Sequence, residues 1–448
     1  MSRFAALVAA SLSVFMYAGA AAPAAASGFA LNTQSAEALG AATAGAQASE
    51  ATPANAYFNP AAIVGVNGLE GSFSVIGVVN DSSYENAEGL LFGVVPVQGE
   101  SAGEDVIGDG VFPTGAIAAK LGDRLFAGLA LYAPFGFSSS YDDDSIARYH
   151  GTFSQVVSGS VTPILGIELT EGWSIAAGPR FQYIDVDIDG AIDAAGIEAA
   201  LLMTAAIPGT DDVFYELSAK DWGVGFVAGL QGSLTDRITF GVSFSSKIEH
   251  DLEGDAQFNI SQSASGQTLA LAAGLFQGTR IAGEFTTPAI LQIGAQIELT
   301  PQTRLLTSAV QMRWSSFEQL TTAFDNPVQP PEVTTQNWKN AWSGSLGVEH
   351  DLSAADTLRF GVMVEEDPVN PAFSSPRVPG ASRIWLAGGY SREVSSRAEL
   401  HLAASYVFGD ARRIDESGAY PENLFRGSFG ADADINGIVI GAGLDWRF

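Results

Sequence analysis

Few side chains in this sequence could carry out bond-making chemistry. The four histidines, His150, His250, His350 and His401, stand far apart and show no metal-ligand spacing, and the chain has no cysteine. It contains no Gly-x-Ser-x-Gly element and no phosphate-binding loop. The run Asp142 to Asp144 offers carboxylates to a calcium ion, but it lacks an EF-hand pattern and fits a solvated loop better. We therefore expect no catalytic residues, no metal and no cofactor.

Basic side chains are the other candidates, because an Arg or Lys in apolar surroundings can bind a carboxylate. Arg180, Lys247 and Arg313 are possible contacts for a ligand head group if the elements that carry them turn these side chains to a common interior. Arg359 and Arg383 share the same phase. Interior arginines also pair with acids, and the sequence offers Glu349, Glu399 and Asp445 for that role. Whether these basic residues bind a ligand or pair with acids depends on the direction in which the elements that carry them turn their side chains.

The amino-acid composition excludes two classes of protein and favours strands over helices. The 448 residues include 50 Asp plus Glu against 21 Lys plus Arg, a formal net charge of -29, and 47% of the residues are hydrophobic. Such an acidic balance excludes a nonspecific nucleic-acid binder, which needs a basic face. The apolar content is too high for a disordered acidic chain. The 50 glycines favour strands over a helical bundle, because helices disfavour glycine.

Residues 1–26 have the pattern of an export signal. Arg3 supplies the positive start, an apolar stretch runs from Phe4 to Tyr17, and Ala24 to Ala26 form a small-residue cleavage site. No later apolar run reaches the ~20 residues that a membrane helix needs. The sequence therefore predicts either an exported soluble protein or a membrane β-barrel.

Alternation of apolar and polar residues with period two indicates strands. From Arg397 to Phe408 every second residue is apolar or small on one face, and the same pattern runs back from Phe448 to Ile438. In a soluble sandwich the apolar face would be the core, whereas in an outer-membrane barrel it would face lipid. The barrel is favoured because aromatic residues recur near strand ends, as at Trp173 and Trp222.

Connection lengths give the number of strands. Six short connections alternate with long polar or Gly-rich stretches, which is typical of short periplasmic turns and long outer loops. The short connections lie near Gly122-Asp123, Glu171-Gly172, Thr235-Asp236, Pro301-Gln302, Ser353-Ala354 and Ser395-Ser396. With both chain ends on the periplasmic side, six turns imply fourteen strands, and we assign the barrel to residues 68–448.

Residues 27–67 do not fit a strand pattern. They are rich in small residues, and the alanines between Ala36 and Ala48 give that part helical propensity. About eight strands is the barrel size that its own side chains can fill, so fourteen leave a lumen that needs a plug. We expect this segment to be a partly helical N-terminal hatch inside an all-β, fourteen-stranded antiparallel transmembrane barrel. A periplasmic tail is the alternative.

Several short motifs, in this order and spacing, resemble the outer-membrane family of long-chain fatty acid and hydrocarbon transporters of the FadL and TodX type. The resemblance covers nearly the whole chain after residue 26. It is carried by Ser27 to Asn32, Asn59-Pro60-Ala61, Ala133 to Phe137 with Tyr141 to Asp143 and Arg148 to His150, Trp314 to Phe317, Ser375 to Pro379 and Arg383 to Trp385. It implies a hatch-plugged barrel of fourteen strands that takes up hydrophobic molecules and passes them through a side opening in its wall.

The sequence suggests where such an opening lies. Pro134 and Gly136 interrupt a strand-like segment, Arg124 to Ser138, and in a sheet this pair marks an edge, bulge or bend. An inward kink formed by Ala133, Pro134, Phe135 and Gly136 would leave a gap in the wall, although Pro134 could instead mark only the strand end. By the resemblance, Asn59, Pro60 and Ala61 of the hatch should contact this kink.

Two predicted outer loops carry apolar, helix-prone segments, which water disfavours unless they serve a purpose. Together they could form a groove for a hydrophobic ligand, or they could pack against each other and close the barrel top. The residues of this groove would be Ile197, Leu201, Leu202 and Met203 in the first loop and Leu269, Leu271, Leu275 and Phe276 in the second.

These observations predict a passive transporter in the outer membrane of a Gram-negative bacterium. The expected partners are outer-membrane lipid and lipopolysaccharide, a hydrophobic ligand, and the assembly machinery, reached through the last strand at Phe448. We expect a monomer with no nucleic-acid partner. A general porin for polar solutes and an outer-membrane lipase are the alternatives. The sequence does not separate a fatty acid from a neutral hydrocarbon.

Overall fold

The computed structural model describes residues 28–49, 51–101 and 103–448. The predicted export signal, residues 1–26, lies outside them. No helix among the described residues combines the length and the apolar character that a bilayer span requires. The wall of the molecule is a closed barrel of fourteen antiparallel strands. The fourteenth strand closes the barrel on the first, with pairs from Glu70 opposite Arg447 to Leu90 opposite Ser428 and one irregularity between Glu85 and Glu88.

Several wall strands consist of two segments. Their bounds are β1 Leu69–Leu91, β2 Gly110–Lys120, β3 Leu125–Tyr132 with Gly136–Ser140, β4 Phe153–Thr170, β5 Trp173–Asp193, β6 Asp212–Thr235, β7 Ile238–Ser245 with Ile248–Asn259, β8 Thr279–Thr287 with Ala289–Thr300, β9 Thr303–Arg313 with Gln319–Phe324, β10 Glu332–Thr335 with Ala341–Asp351, β11 Asp356–Glu365, β12 Arg383–Ser395, β13 Ala398–Gly409 with Arg412–Glu416, and β14 Ser428–Arg447. Two short strands, Val95–Pro96 and Gly103–Glu104, lie in the first outer loop. All six predicted short connections join consecutive strands.

The orientation of the apolar residues decides between a soluble sandwich and a membrane barrel. In β13, Leu400, Leu402 and Tyr406 are exposed, whereas His401 and Ser405 between them are buried. The apolar face therefore points outward, where lipid covers it, and the polar face lines the interior. This outward band explains how a chain with 47% hydrophobic residues leaves so many large apolar side chains exposed.

Residues 28–49 and 51–67 lie inside the barrel and are mostly buried against the wall. They contain one helix, α1 (Ala36–Leu39), and three turns of 3-10 helix, Ala46–Ala48, Pro53–Asn55 and Pro60–Ile63. The helical propensity between Ala36 and Ala48 yields only the single turn of α1, because Ala42, Thr43 and Gly45 take positive φ angles that reverse the chain. Packing against the wall therefore overrides local propensity here. We refer to residues 28–67 as the hatch.

Glycines let the hatch approach the wall closely. A Cβ atom on Gly361 of β11 would lie 2.1 Å from the carbonyl oxygen of Ala41, and a Cβ on Gly389 of β12 would lie 2.6 Å from the Cα of Gly40. Both obstacles are backbone atoms, which cannot rotate away. Only glycine fits at these two wall positions, so the fit of the hatch depends on them.

Candidate functional site: the β3 kink, the hatch and the outer loops

The wall is interrupted where Pro134 was predicted to disturb it. The first segment of β3 pairs with β2 as far as Leu131 opposite Gly115. Among the described residues the second segment, Gly136–Ser140, forms a ladder with β4, and the β2 side is met again through the isolated bridge from Ile107 to Ser139. Between these points the β2–β3 ladder lapses. The kink of Ala133 to Phe135 is buried and lies beside this gap.

The first residues of the hatch fill the kink from inside. Leu31 donates its backbone N–H to the oxygen of Pro134 at 2.8 Å, and Gly136 donates to the oxygen of Phe29 at 2.9 Å. Ala30 forms a bridge with Phe135. This pairing satisfies backbone groups that would otherwise be unpaired in a membrane wall, where water cannot replace them.

The Gln34 side chain adds a further pair of bonds to the kink. Its Nε2 donates to the oxygen of Ala133 at 2.6 Å, and its Oε1 accepts from the N–H of Ala133 at 3.1 Å. Sequence reasoning did not single out Gln34. The hatch start, residues 28–34, is therefore the segment that holds the kink.

The expected contact of Asn59, Pro60 and Ala61 with the kink is wrong in its main point. Asn59 donates through Nδ2 to the oxygen of Gln47 at 2.7 Å and to the oxygen of Leu230 in β6 at 3.1 Å. Its Oδ1 accepts from the N–H of Ala61 at 3.0 Å and caps a 3-10 turn. These residues fix the end of the hatch to another part of the wall.

Ala61 packs close to the start of the kink. It packs in an apolar cluster with Phe126, Ala130 and Tyr132, the residues of β3 that precede the break. The sequence motif thus marks a cap and a wall anchor. The residue type was informative, since Asn before Pro favours a turn, but a turn signal does not say which strand it meets.

An aromatic cluster surrounds Phe29 just above the kink. The ring centroid of Phe29 lies 4.7 Å from that of Trp314 and 5.3 Å from that of Trp338. Phe135, Phe285 and Phe317 complete the cluster at 6.1, 5.6 and 6.1 Å from Phe29. These residues come from four strands or loops and the hatch, so no local pattern could have grouped them. The hatch start is therefore anchored by one aromatic side chain packed in this cluster.

The lumen is apolar next to this aromatic cluster. Ile184 and Val186 are buried in the same apolar cluster as Phe29, and Ile188 packs against it. Below them the interior becomes polar: Nε2 of His250 lies 3.1 Å from Oε1 of Gln182, and Nδ1 of His250 lies 3.2 Å from Oδ2 of Asp221. A hydrophobic ligand would thus find apolar surroundings near the outer end.

The two outer loops form helices, α2 (Ala194–Leu202) and α3 (Ala264–Ala273). The predicted groove residues divide into two groups. Leu269, Leu275 and Phe276 are buried between the loops, and Ile197 and Leu202 pack against them. Leu201, Met203 and Leu271 point outward, and the exposed fractions of Met203 and Leu271 are 90% and 91%. The loops therefore close on each other and still present apolar side chains outside.

Of the three basic residues proposed for a ligand head group, the structure places one inside. Arg180 is fully buried and donates through Nη2 to the oxygen of Ser246 at 2.9 Å. Lys247 lies exposed beside Glu249, with Nζ 2.5 Å from Oε1, and Arg313 is exposed on the outer face. The phase argument is wrong for Lys247 because β7 breaks between its two segments. It is wrong for Arg313 because the inward residues of β9 are its neighbours Met312 and Trp314.

Charged residues also connect α1 of the hatch to the wall strands β10 and β11. Arg359 in β11 forms ion pairs with Glu349 of β10 and, at 3.0 Å, with Glu37 of α1. Arg304 adds a bond to Glu349 at 2.6 Å. Burial is the main cause that raises the pKa of the Glu37 carboxyl, and the charge of Arg359 opposes it. The expectation that interior arginines pair with acids is confirmed for Arg359.

The acidic run of the outer loop meets one further carboxylate. Ligand oxygens of Glu100, Asp142 and Asp144 lie within 4.8 Å of one another, and all three residues are exposed. Exposed carboxylates are commonly solvated, so this grouping assigns no metal.

Comparison with known proteins identifies a family and several relatives of this chain. The family model described as outer membrane protein transport protein (OMPP1/FadL/TodX) matches residues 17–448. A putative outer membrane protein of Neisseria meningitidis serogroup B is 26% identical over 403 residues, which cover 85% of this chain and 86% of that protein. A long-chain fatty acid transport protein of Escherichia coli O6:H1 is 24% identical over 405 residues, covering 87% and 88%.

Solved structures show the same fold. A Pseudomonas aeruginosa FadL homologue matches with a TM-score of 0.85 at 21% identity, covering 94% of this chain and 100% of that one. The Ralstonia pickettii toluene transporter TbuX matches with a TM-score of 0.65 at 16% identity, covering 93% and 99%. At these identities the likeness establishes the barrel and leaves the ligand open.

Proposed function

The chain belongs to the outer membrane protein transport family (OMPP1/FadL/TodX), and from that premise we propose that it passes long-chain fatty acids or related hydrophobic compounds through its wall at the β3 kink. The family is one of passive outer-membrane transporters and not of enzymes, and its members lie in the outer membrane of Gram-negative bacteria. The relatives named for fatty acid and for toluene transport support both ligand classes. The lateral route is our own proposal.

The observation that carries this proposal is the lapse of the β2–β3 ladder beside Pro134, covered from inside by Phe29 to Leu31. A hydrophobic ligand that reached the apolar cluster around Phe29 would have lipid on the other side of this gap. Crossing there avoids the polar lower lumen and the plugged periplasmic end. Apolar side chains at α2 and α3, among them Met203 and Leu271, would take up the ligand first, since burial of apolar surface yields about 25 cal/mol per Å².

Strand-forming substitutions at the kink test the lateral route. Pro134→Val with Gly136→Val should let β3 pair continuously and close the gap, so uptake of labelled oleate and of toluene into cells should fall at least tenfold. Pro163→Val is the control, because it replaces a proline of the neighbouring strand β4, opposite Leu129, outside the kink. Normal uptake by an assembled double variant would refute the lateral route.

The two alternatives are tested on the same purified protein. A general porin would give a large, steady ionic current in a planar bilayer, which the buried hatch argues against. A lipase would hydrolyse a chromogenic ester, and we expect no hydrolysis from a member of a transporter family.

We further propose that the barrel acts as a monomer, surrounded by lipid and lipopolysaccharide, and that the assembly machinery contacts the last strand at Phe448. Phe448 is exposed at the end of β14. Native mass spectrometry should give the mass of one chain. Deleting Phe448 should reduce the assembled, heat-modifiable form in membranes, and undiminished assembly would contradict the second proposal.

A further inference from the structure

One buried histidine beside the hatch has a ring nitrogen without a bond. His401 of β13 faces the interior and is only 4% exposed. Its Nδ1 lies 2.7 Å from Oγ of Ser391 in β12. Its Nε2 lies 3.8 Å from Oδ2 of Asp445 in β14, which is too far for a hydrogen bond, and it has no bonding partner within the described part of the chain. A buried polar atom of this kind is costly, so its open position needs a reason.

Both neighbours of this ring also contact the hatch. Oδ2 of Asp445 accepts a bond from Oγ1 of Thr52 at 3.0 Å. Oγ of Ser391 accepts a bond from Nη1 of Arg359, and Nη2 of the same guanidinium lies 3.0 Å from Oε1 of Glu37 in α1. The ring therefore lies between two chains of bonds that end on the hatch, and a change in its charge acts on both of them.

His401 lines a polar cavity near the short turn between β12 and β13. The free volume of this cavity is about 210 Å³, which is enough for several water molecules. Glu393 and Arg397, which flank the turn, are exposed lining residues of the cavity. Protons from the solution on the periplasmic side therefore have access to the ring.

Negative charge prevails around the ring. Glu399 stands directly opposite Asp445 in the β13–β14 ladder, an arrangement that like charges disfavour. The charged groups nearest this space are the carboxylates of Glu37, Glu349, Glu399 and Asp445 and the guanidinium groups of Arg304 and Arg359. The remaining acids of the cavity, Glu70 and Glu393, are matched in number by Arg397 and Arg447. A positive charge on the imidazole reduces this excess of carboxylates.

A ring that carries two protons fits these surroundings best. Neutral imidazole has one N–H group, whereas imidazolium donates from both nitrogens. Imidazolium can therefore donate to Ser391 and to Asp445 at the same time, after the ring and the carboxylate approach each other by about 1 Å. Histidine is also the side chain whose ordinary charge change falls between about pH 5 and 8.

We propose that His401 is a proton-binding site that sets how firmly the wall holds the hatch. The bound proton places positive charge beside Asp445, which bonds Thr52, and near Glu37, so the docked hatch and the proton favour each other. Because such coupling is reciprocal, the hatch is held more firmly below about pH 6 and more loosely above about pH 7. The inference goes beyond the lateral route, since it concerns the periplasmic end of the hatch and not the kink.

Amide hydrogen exchange of the full chain in lipid vesicles measures how often the hatch opens. The amides of residues 36–48 are followed between about pH 5.5 and 8, and each rate is divided by the intrinsic exchange rate at that pH. Protection in the wild type should fall about 10-fold over this range, as for a typical coupling between two sites. His401→Gln cannot take up the proton, so its protection should be low throughout and change less than about threefold.

His250→Gln is the matched control, because His250 is another buried histidine beside an acid, and its partners Gln182 and Asp221 belong to the wall. It should follow the wild type at every pH. The Glu37 carboxyl also titrates, so Glu37→Gln is measured in parallel. A pH dependence that persists in His401→Gln and vanishes in Glu37→Gln would overturn the proposal, since Glu37 would then be the sensor.

Assembly of each variant is checked by heat-modifiable electrophoresis. Should His401→Gln fail to assemble, the wild type decides the question through the carbon NMR signal of the His401 ring. A ring that gains its proton in the same pH range in which hatch protection rises supports the proposal. A ring that stays neutral down to about pH 5, or hatch protection that does not change with pH, overturns it.

Discussion

Glu37 shows how one residue couples the hatch to solution conditions. Its carboxylate meets Arg359 of the wall at 3.0 Å, yet burial raises the pKa of Glu37 above the ordinary value of 4.5. A carboxyl group whose folded pKa is raised binds its proton more tightly in the folded state. The stability it contributes is therefore fully present below pH 4.5 and is lost as the pH rises through the folded pKa.

The substitution Glu37→Gln tests the direction of this pH dependence. The free energy of unfolding of the wild type, minus that of Glu37→Gln, should fall as the pH is raised from 4.5 upward. Urea titrations of the refolded barrel in lipid vesicles, followed by tryptophan fluorescence at several pH values, give both quantities. A difference that rises with pH would show that the pairing with Arg359 outweighs burial.

Leu271 is the residue at which first capture of a ligand can be tested alone. It is 91% exposed on α3, whereas its neighbour Leu269 is fully buried. Burying a leucine yields about 1.5–3 kcal/mol, so Leu271→Asp should weaken capture of a fluorescent fatty acid by about 10- to 150-fold without affecting assembly. Leu121→Asp is the control, because Leu121 is 59% exposed in the turn between β2 and β3 at the opposite end of the barrel. Equal losses in both variants would contradict a role for the loop.

At the scale of elements, the hatch start and the kink behave as one sheet. Residues 29–31 pair with β3 at the point where β2 does not. The backbone groups of the kink are therefore hydrogen-bonded, although the hatch and not a neighbouring wall strand supplies these bonds. On the proposed lateral route, a ligand could pass through the gap after residues 29–31 leave it.

A disulfide across the bridge between Ala30 and Phe135 tests that requirement. Bridged residues in an antiparallel pair have Cα atoms about 4.5–5.5 Å apart, which a disulfide can span. The chain has no cysteine of its own, so Ala30→Cys with Phe135→Cys introduces the only pair. Oxidised cells should lose at least ~90% of oleate uptake and regain it on reduction. The two single variants under the same oxidation are the controls, and undiminished uptake by the oxidised double variant would show that the hatch start need not move.

At the scale of the whole molecule, the hatch decides whether the barrel conducts ions. A side chain on Gly361 would meet the backbone of Ala41 at 2.1 Å, and such overpacking costs about 1–3 kcal/mol. Gly361→Val should therefore raise the undocked fraction of the hatch by about 5- to 150-fold, with a corresponding rise in single-channel openings. Gly344→Val is the control, because nothing lies within 4 Å of a Cβ at Gly344. Equal conductance in both variants would contradict a sealing role for the hatch.

The barrel itself could be predicted from the sequence, because period-two alternation and turn residues are local signals. All six turns and the break at Pro134 appear where local chemistry places them. The site was harder to predict because its residues meet only in the closed barrel. Phe29 reaches Trp314 and Trp338 across the lumen, Asn59 caps a turn against β6, and Arg313 faces outward. A phase that is counted along one strand fails wherever that strand breaks.

The pairing of β1 with β14 also sets the order of events during assembly. Glu70 and Arg447 are neighbours in the sheet but nearly the whole chain separates them in sequence. Contacts between such distant residues form late, because closing so long a loop costs the most entropy. The hatch precedes β1 and is therefore synthesised before any of the wall that encloses it. The pairing of β14 with β1 therefore closes the barrel around a hatch that has already been synthesised.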